Sequence, residues 1–494
     1  MISEQNKSKL RDNAWRVELR EKIKTRERSQ IKRVKMTEED PCLRIKSNTE
    51  VNKGISLEEA ITEARRCLDC INPLCVEGCP VGIDIPRFIK NIERNNIPEA
   101  IKVIKESNTF PAVCGRVCPQ EVQCESKCNY VKMKKEPVAI GYLERFAADY
   151  ELKNKLCYLP EINKSNNIKV AVIGSGPAGM SAAVDLAKAG YKVTVFEALH
   201  DYGGVLRYGI PEFRLPKSII NTEIRNMKQM GIEFVKNFIV GKTATINDLR
   251  EEGYRAFFVG SGAGLPKFMN IPCENSNGIL SSNEYLTRVN LMSAGNSKFD
   301  TPIMRGKKVA VIGGGNTAID SVRTARRMGA ERAIIIYRRS LNEMPARIEE
   351  IKHAQEEGIE FITLTNPIRY FSDEQGRVNR IMLQKIKLGE PDSSGRRSPI
   401  AIPCSEYELE IDLAIVSIGV SPNPIFIKSM QGLYTSKWGT IQVNDKTMQS
   451  NIDGIYAGGD IVRGGATVIL AMGDGRKAAA AINEYILSTA SFDF

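Results

Sequence analysis

The hexapeptide KVAVIG occurs twice in this chain, at residues 169–174 and 308–313, and each copy runs into glycine-rich sequence. Four consecutive apolar residues ending at a glycine, with no polar alternation, predict a buried parallel strand. The first copy continues through Gly174-x-Gly176-Pro177-Ala178-Gly179, a helix to about Ala189 and a second strand, KVTVFEA. The second continues through Gly313-Gly314-Gly315-Asn316-Thr317-Ala318-x-Asp320, a helix to Gly329 and the strand AIIIYRR. One strand–turn–helix–strand unit used twice implies two Rossmann-like α/β domains, each built to bind a dinucleotide. The first glycine of such a turn makes the bend and the second lets backbone approach a pyrophosphate. The third allows close helix–strand packing, and the helix amino terminus faces the phosphates.

The ends of the two second strands differ. Glu197 closes the first, where a carboxylate binds ribose hydroxyls. Tyr337-Arg338-Arg339 closes the second, where arginines pair with a 2′-phosphate that an acid would repel. We therefore expect NADP(H) in the second domain, with Arg338 and Arg339 as selectors unless one or both are only solvated. The Glu343-Met344-Pro345-Ala346 stretch that follows either shapes the nicotinamide side or is an ordinary turn. FAD is expected in the first domain, because IDGIYAGGD (452–460) sets Gly459-Asp460 after a strand, within reach of a flavin's ribityl chain. The GGATVILAMGDG stretch, with Thr467, then starts a helix that can face the isoalloxazine. The strands FFVGSGA (257–263) and AIVSIGVSPN (414–423) read as the points where the chain crosses between domains, with the NADP domain inserted in the FAD domain. The expected division is 1–165 for a helical domain with a charged arm, 166–285 and 416–494 for the FAD domain, and 286–415 for the NADP(H) domain.

Eight of twelve cysteines fall between Cys67 and Cys128. The amino terminus lacks the apolar core of a signal peptide, and no apolar run is long enough to span a membrane. We expect a soluble, cytoplasmic protein, in which clustered thiols bind metal or do redox work. The spacings are Cys67-x2-Cys70-x4-Cys75-x3-Cys79-Pro80 and Cys114-x3-Cys118-Pro119-x4-Cys124-x3-Cys128. Each group contains the Cys-Pro of a bacterial ferredoxin run, whose last cysteine serves the other cluster, although the inner spacing is wider. Two Fe–S clusters with exchanged ligands are expected; two four-cysteine zinc sites are the alternative. Cys42, Cys157, Cys273 and Cys404 are expected to be buried, inert thiols. Ser56, three residues before Glu59, predicts a capped helix start ahead of the first cysteines.

The formal charge is +11. No aromatic-studded basic motif accompanies it, so no nucleic-acid partner is expected. Much of the excess lies early, at Lys22, Lys24, Arg26, Arg28, Lys32, Arg33 and Lys35, interleaved with Glu18, Glu21 and Glu27. We expect a solvated helix face there, the alternative being a docking arm for an acidic partner. His200 and His353 are the only histidines. No cysteine pair lies near either nucleotide fold, so cofactors are expected to carry the chemistry.

CLDC-INPLC-VEGCP, CGRVCPQEVQCESKC, GYLERF, GGVLRYGIPEFRLPK, GGGNTAID and YAGGD together resemble the small (beta) subunit family of NADPH-dependent glutamate synthase. The family includes the large subunit of NADH-dependent ferredoxin:NADP oxidoreductase, also called sulfide dehydrogenase alpha subunit, and is related to the amino-terminal half of dihydropyrimidine dehydrogenase. The resemblance implies an adrenodoxin reductase-like domain pair behind a helical domain with two [4Fe–4S] clusters. It assigns Cys67, Cys70, Cys75 and Cys128 to one cluster and Cys79, Cys118 and Cys124 to the other, with Glu144 or Cys114 as the fourth ligand. Gly204 and Arg207 join the FAD set on the same ground. The implied activity passes electrons from NADPH through FAD and the clusters to a partner, within an oligomer. That partner would be a larger FMN-bearing synthase subunit, or a small flavoprotein subunit with ferredoxin in the bifurcating or sulfide-linked relatives. These 494 residues leave no room for a glutaminase or an FMN synthase domain. An Fe–S scaffold without turnover is the contrasting reading, against which both glycine motifs and both arginines stand.

Overall fold

Both KVAVI strands sit at the centre of a parallel sheet, with four of their five residues buried, as helices on both faces require. The first sheet runs in the order Ile455–Ala457, Tyr254–Val259, Lys169–Ile173, Lys192–Phe196, Glu233–Val235. The second runs Glu360–Thr363, Arg332–Tyr337, Lys308–Ile312, Leu413–Val416, Ile279–Ser281. The computed structural model describes residues 10–392 and 395–490.

The strand Ile455–Ala457 pairs with Tyr254–Val259, so the chain leaves the first sheet, builds the second and returns. The two crossings lie side by side: Leu265–Pro266 pairs antiparallel with Val420–Ser421. The second unit is thus inserted in the first. The boundary differs from the one expected at 286, because Ile279–Ser281 pairs with Leu413–Val416 in the second sheet. That strand is three residues long and half-buried, too short to carry a periodicity. Sequence reading also missed a three-stranded antiparallel sheet, Thr365–Ser372, Val378–Pro391 and Arg397–Glu410. Its last strand alternates between exposed and half-buried, and a surface strand that mixes prolines, serines and charges with apolar residues is hard to tell from a loop.

The cysteines lie on turns and short helices among Leu57–Arg66, Ile85–Glu93, Ile97–Lys105, Pro111–Val117 and Ile140–Lys153. Ser56 caps the first of these with Glu59 in a reciprocal capping box. This helical region and the first nucleotide unit share one core, in which Phe88, Ile101 and Leu143 join a cluster with Ala182, Met472 and Ile482.

Two expectations are corrected. The arm is not simply a solvated face, although Lys22, Lys24, Arg26, Lys32 and Lys35 are exposed. Arg16 is buried against Asp69, Arg28 bonds Glu93 at 2.9 Å, and Arg33 bonds Glu125 at 2.8 Å. Buried acids in the helical domain demand these cations, and the arm's charge pattern does not reveal them. Cys42, Cys157 and Cys404 are exposed and Cys273 is half-buried, so none is a fully buried thiol.

Candidate nucleotide and iron–sulfur sites

A cavity of about 1930 Å³ lies between the two nucleotide units, and both glycine turns open into it. Gly174 has φ +101°, and a Cβ there would stand 2.6 Å from the Gly260 carbonyl oxygen. A Cβ on Gly179 would stand 2.0 Å from the Gly174 oxygen, so Gly179 is a packing glycine and does not line the cavity. Gly176 and Gly315 differ: a Cβ on either would meet nothing within 4 Å. Open space beside a glycine that faces a helix amino terminus is what a pyrophosphate needs. Gly313, with φ +144°, repeats the role of Gly174, a Cβ there standing 2.2 Å from the Ser417 oxygen. Ala318 is buried in its helix and does not reach the cavity.

Glu197 is buried at the cavity wall. Its carboxylate accepts from the Ser175 N–H at 3.0 Å and the Leu199 N–H at 2.8 Å, which orients it. Pro177, Ala178, Gly204, Gly459, Asp460 and Thr467 line the same side. Asp460 accepts from the Ala466 N–H at 2.8 Å, and burial raises its pKa. Sequence reading missed Asp474, which holds the Gly459 N–H at 3.0 Å and both ends of the Arg463 guanidinium. Arg207 is a correction. It does not line the cavity, and instead bonds the Tyr202 carbonyl at 2.7 Å and pairs with Asp201 at 3.1 Å. It braces the Gly203-Gly204 turn from behind.

On the other side Asn316, Thr317, Asp320, Arg338 and Arg339 line the cavity. The two arginines are not equivalent. Arg338 is exposed and has no ion-pair partner among the described residues. Arg339 is buried, donates to the Arg397 carbonyl at 2.7 Å and pairs with Asp392 at 2.5 Å. Asp320 is held by Arg214 of the first unit at 2.7 Å.

The eight clustered thiols are free and form two sets. Cys67, Cys70, Cys75 and Cys128 surround a cavity of about 30 Å³ lined by Leu68, Ile85, Ile89, Tyr130 and Val138. Burial pushes the Cys67 thiol up to about 12. The Cys75 thiol is raised first by burial and then by the charges of Cys67, Cys128 and Cys70. The Asn129 amide donates to Cys70 Sγ at 3.1 Å. The second set is deeper. Cys79 is pushed up to about 11 by burial, and Cys124 is raised by burial and then by Glu125, Cys79, Glu144 and Cys118. Cys118 is raised by its hydrogen bond with Cys114 and by burial.

Both candidates for the fourth position are present, and Asn108 holds both. Its amide donates to Glu144 Oε1 at 2.5 Å, and its carbonyl oxygen faces Cys114 Sγ at 3.6 Å. Glu144 is buried, and burial pushes it up to about 8. Thiols this strongly desolvated are poor free groups and good ligands, since binding a metal removes their protons.

A single zinc with Zn–S bonds near 2.3 Å would draw four sulfurs to within about 4 Å of one another. Among the described residues, the only three-donor set whose ligand atoms all lie within 4.8 Å is Glu38, Glu349 and His353. None of the eight clustered cysteines belongs to that set. The Glu38 and Glu349 carboxylates are already neutralised by Lys352 and by Arg347, so we assign no metal there.

Val117 and Pro119, on either side of Cys118 in the second set, line the large cavity. Gln123, beside Cys124, reaches Thr467 at 3.4 Å. A Cβ on Gly473, in the helix Val468–Ala490, would stand 3.1 Å from the Pro80 carbonyl beside Cys79.

This fold and site define a pyridine-nucleotide flavoprotein with an attached iron–sulfur domain. Residues 168–475 match the pyridine nucleotide-disulphide oxidoreductase family, and residues 44–156 match dihydropyrimidine dehydrogenase domain II, 4Fe-4S cluster. Among solved structures, FprA from Mycobacterium tuberculosis shares the fold, with TM-score 0.56 and 21% identity over 66% of this chain and 86% of that one. The glutamate synthase [NADPH] small chain of Azospirillum brasilense is 35% identical over 88% of this chain and 91% of its own length. The chain belongs to the glutamate synthase small-chain family. Other relatives are subunits of different assemblies. The NADP(+)-dependent formate dehydrogenase subunit beta of Moorella thermoacetica is 37% identical over 83% of this chain, which spans 60% of that protein. The NADPH-Fe(3+) oxidoreductase subunit beta of Geobacter sulfurreducens is 34% identical over 85% of this chain and 65% of its own length. No helix among the described residues is long and apolar enough to cross a membrane.

Proposed function

We propose that this chain is an NADPH-dependent FAD/Fe–S oxidoreductase that feeds electrons to a partner subunit, as the electron-input unit of a glutamate synthase type of complex. The observation that carries this reading is spatial. Val117 and Pro119, on either side of Cys118, line the same cavity into which both dinucleotide turns open. FAD and two [4Fe–4S] clusters, when bound, would supply the conversion between two-electron and one-electron transfer.

The chain's own residues bind and orient. Gly174, Gly176, Glu197, Gly204, Gly459, Asp460 and Thr467 form the FAD cradle, with Gly179 and Arg207 supporting it from behind. Gly313, Gly315, Asn316 and Thr317 receive the second pyrophosphate. Arg338, which has no ion-pair partner among the described residues, is the cation for a 2′-phosphate, while Arg339 fixes the strand end by holding Asp392. Cys67, Cys70, Cys75 and Cys128 hold the cluster nearer the surface. Cys79, Cys118 and Cys124 hold the deeper one, with Glu144 as the fourth ligand and Cys114 as its rival. The apolar walls around both sets exclude water. The domains follow as a helical Fe–S unit, 1–165, a FAD unit, and an inserted NADP(H) unit that begins near 265.

Relatives of similar identity serve glutamate synthase, formate dehydrogenase and Fe(3+) reduction, so partner choice is set outside the shared fold. The test is anaerobic purification with iron, sulfide and flavin quantified, then titration with NADPH and with NADH. About eight irons and one FAD per chain, bleached by NADPH in preference to NADH, are expected. Zinc in place of iron, or reduction by NADH alone, would sink the reading.

A further inference from the structure

Arg347 follows the Glu343-Met344-Pro345-Ala346 turn. That turn closes on the second glycine turn: the Ala346 N–H donates to the Gly314 oxygen at 3.2 Å, and the Arg347 N–H donates to Asn316 Oδ1 at 3.0 Å. The Arg347 side chain leaves its own unit and enters the helical one. There its buried guanidinium donates to the Arg116 carbonyl at 2.8 Å and to Gln120 Oε1 at 3.0 Å, on either side of Cys118-Pro119. Gln120 in turn donates to the Cys114 carbonyl at 3.3 Å. Its amide fills the space opposite Gly141, where a Cβ would stand 2.5 Å away, and Gly141 lies three residues before Glu144 on the same helix. One residue thus spans from the nucleotide turn to three elements of the second cysteine set.

The charge has a direction. Glu349 lies 3.1 Å from the guanidinium and Glu121 3.7 Å, but both are partly solvated, whereas Arg347 is buried on the Cys118 side. Its hydrogen bonds to the Arg116 carbonyl and to Gln120 Oε1, on either side of Cys118, hold that positive charge beside the second set. A fixed buried cation favours whichever state of a neighbouring group carries more negative charge. A one-electron reduced cluster carries one more negative charge than the oxidised one.

We propose that Arg347 is a positioning residue for the second cluster, making it easier to reduce than it would be beside a neutral side chain, with Asn316 and Gln120 holding the guanidinium in place. The inference rests on the two-cluster reading above.

The experiment is an EPR-monitored anaerobic redox titration of wild-type, Arg347→Gln and Arg347→Lys holoprotein, with iron counted in each. Arg347→Gln is expected to weaken reduction of the second cluster roughly three- to tenfold, a downward shift of up to about 59 mV for one electron. The flavin and the first cluster stay put, and Arg347→Lys, which keeps the charge but not the two-pronged grip, shifts the second cluster by less than Arg347→Gln. If Arg347→Gln loses the cluster, Glu349→Gln serves instead, since removing that carboxylate should move the same potential upward. An unmoved potential, a shift shared equally by the first cluster, or equal effects of Gln and Lys overturns the inference alone. About four irons in wild type, in place of about eight, overturns the two-cluster reading and the inference with it.

Discussion

Arg338 and Arg339 are adjacent and identical in type, yet among the described residues only Arg339 has an ion-pair partner. A charge-assisted hydrogen bond is worth about 1.5–3 kcal/mol. Arg338→Ala should therefore raise KM for NADPH roughly ten- to hundredfold and leave KM for NADH nearly unchanged, as steady-state dye reduction will show. The glycines divide in the same way. Gly176→Val is expected to leave the apo fold intact, because a Cβ there meets nothing within 4 Å, while filling the pyrophosphate path. The purified variant should have normal far-ultraviolet circular dichroism and no FAD. Gly179→Ala, with its Cβ 2.0 Å from a carbonyl oxygen, should fail to fold instead. The motif was legible at these positions, since glycine spacing encodes contact with the chain's own backbone. It could not say which arginine is paired, because the carboxylate that takes Arg339 lies 53 residues away, just past the end of another strand.

Among the elements, the helix Lys217–Gln229 packs across the junction with the helical domain and buries Glu223 there. Lys105 is already bonded to Glu151 at 2.6 Å, which leaves Glu223 without full compensation. Burial pushes Glu223 up to about 7. A carboxyl whose folded pKa is raised binds more protons folded than unfolded between its ordinary value and the raised one. Its stabilising effect is therefore complete below about 4.5 and is lost as pH rises through about 7. Glu223→Gln should gain stability over wild type across that window, on the order of 3 kcal/mol by pH 8. Urea unfolding at pH 5, 6, 7 and 8 would check this, and a constant difference across the series would contradict it. The helices themselves were readable from caps and periodicity, as Ser56 and Glu59 show. The three-residue strand Ile279–Ser281 and the exposed hairpin 378–410 were not, because their order comes from neighbouring strands rather than from local pattern.

Across the whole molecule, a buried ionic network fastens the second nucleotide unit to the rest. Arg44, from the amino-terminal segment, reaches Glu357 at 2.9 Å and Glu356 at 2.8 Å. Arg214, from the first unit, reaches Asp320 at 2.7 Å and Glu350 at 3.1 Å. Arg323 joins Glu350 to Glu357, and Arg327 bonds Glu357 at 2.8 Å. Removing one partner of a buried pair costs about 3–5 kcal/mol, because the other charge stays desolvated. Glu357→Ala leaves Arg44, Arg323 and Arg327 short of an anion at once. Hydrogen exchange should rise in Pro41–Arg44 and Ile348–Glu356 while the strand Lys308–Ile312 stays protected. Equal loss throughout the second unit would argue against a clamp between units. The sequence by itself determined the two nucleotide folds and their nesting, because strand burial and glycine sterics are properties of short stretches. Tertiary structure alone decided which cations are buried, which arginine is taken by a carboxylate and which thiols share a set, because each depends on groups far apart in sequence that lose water together.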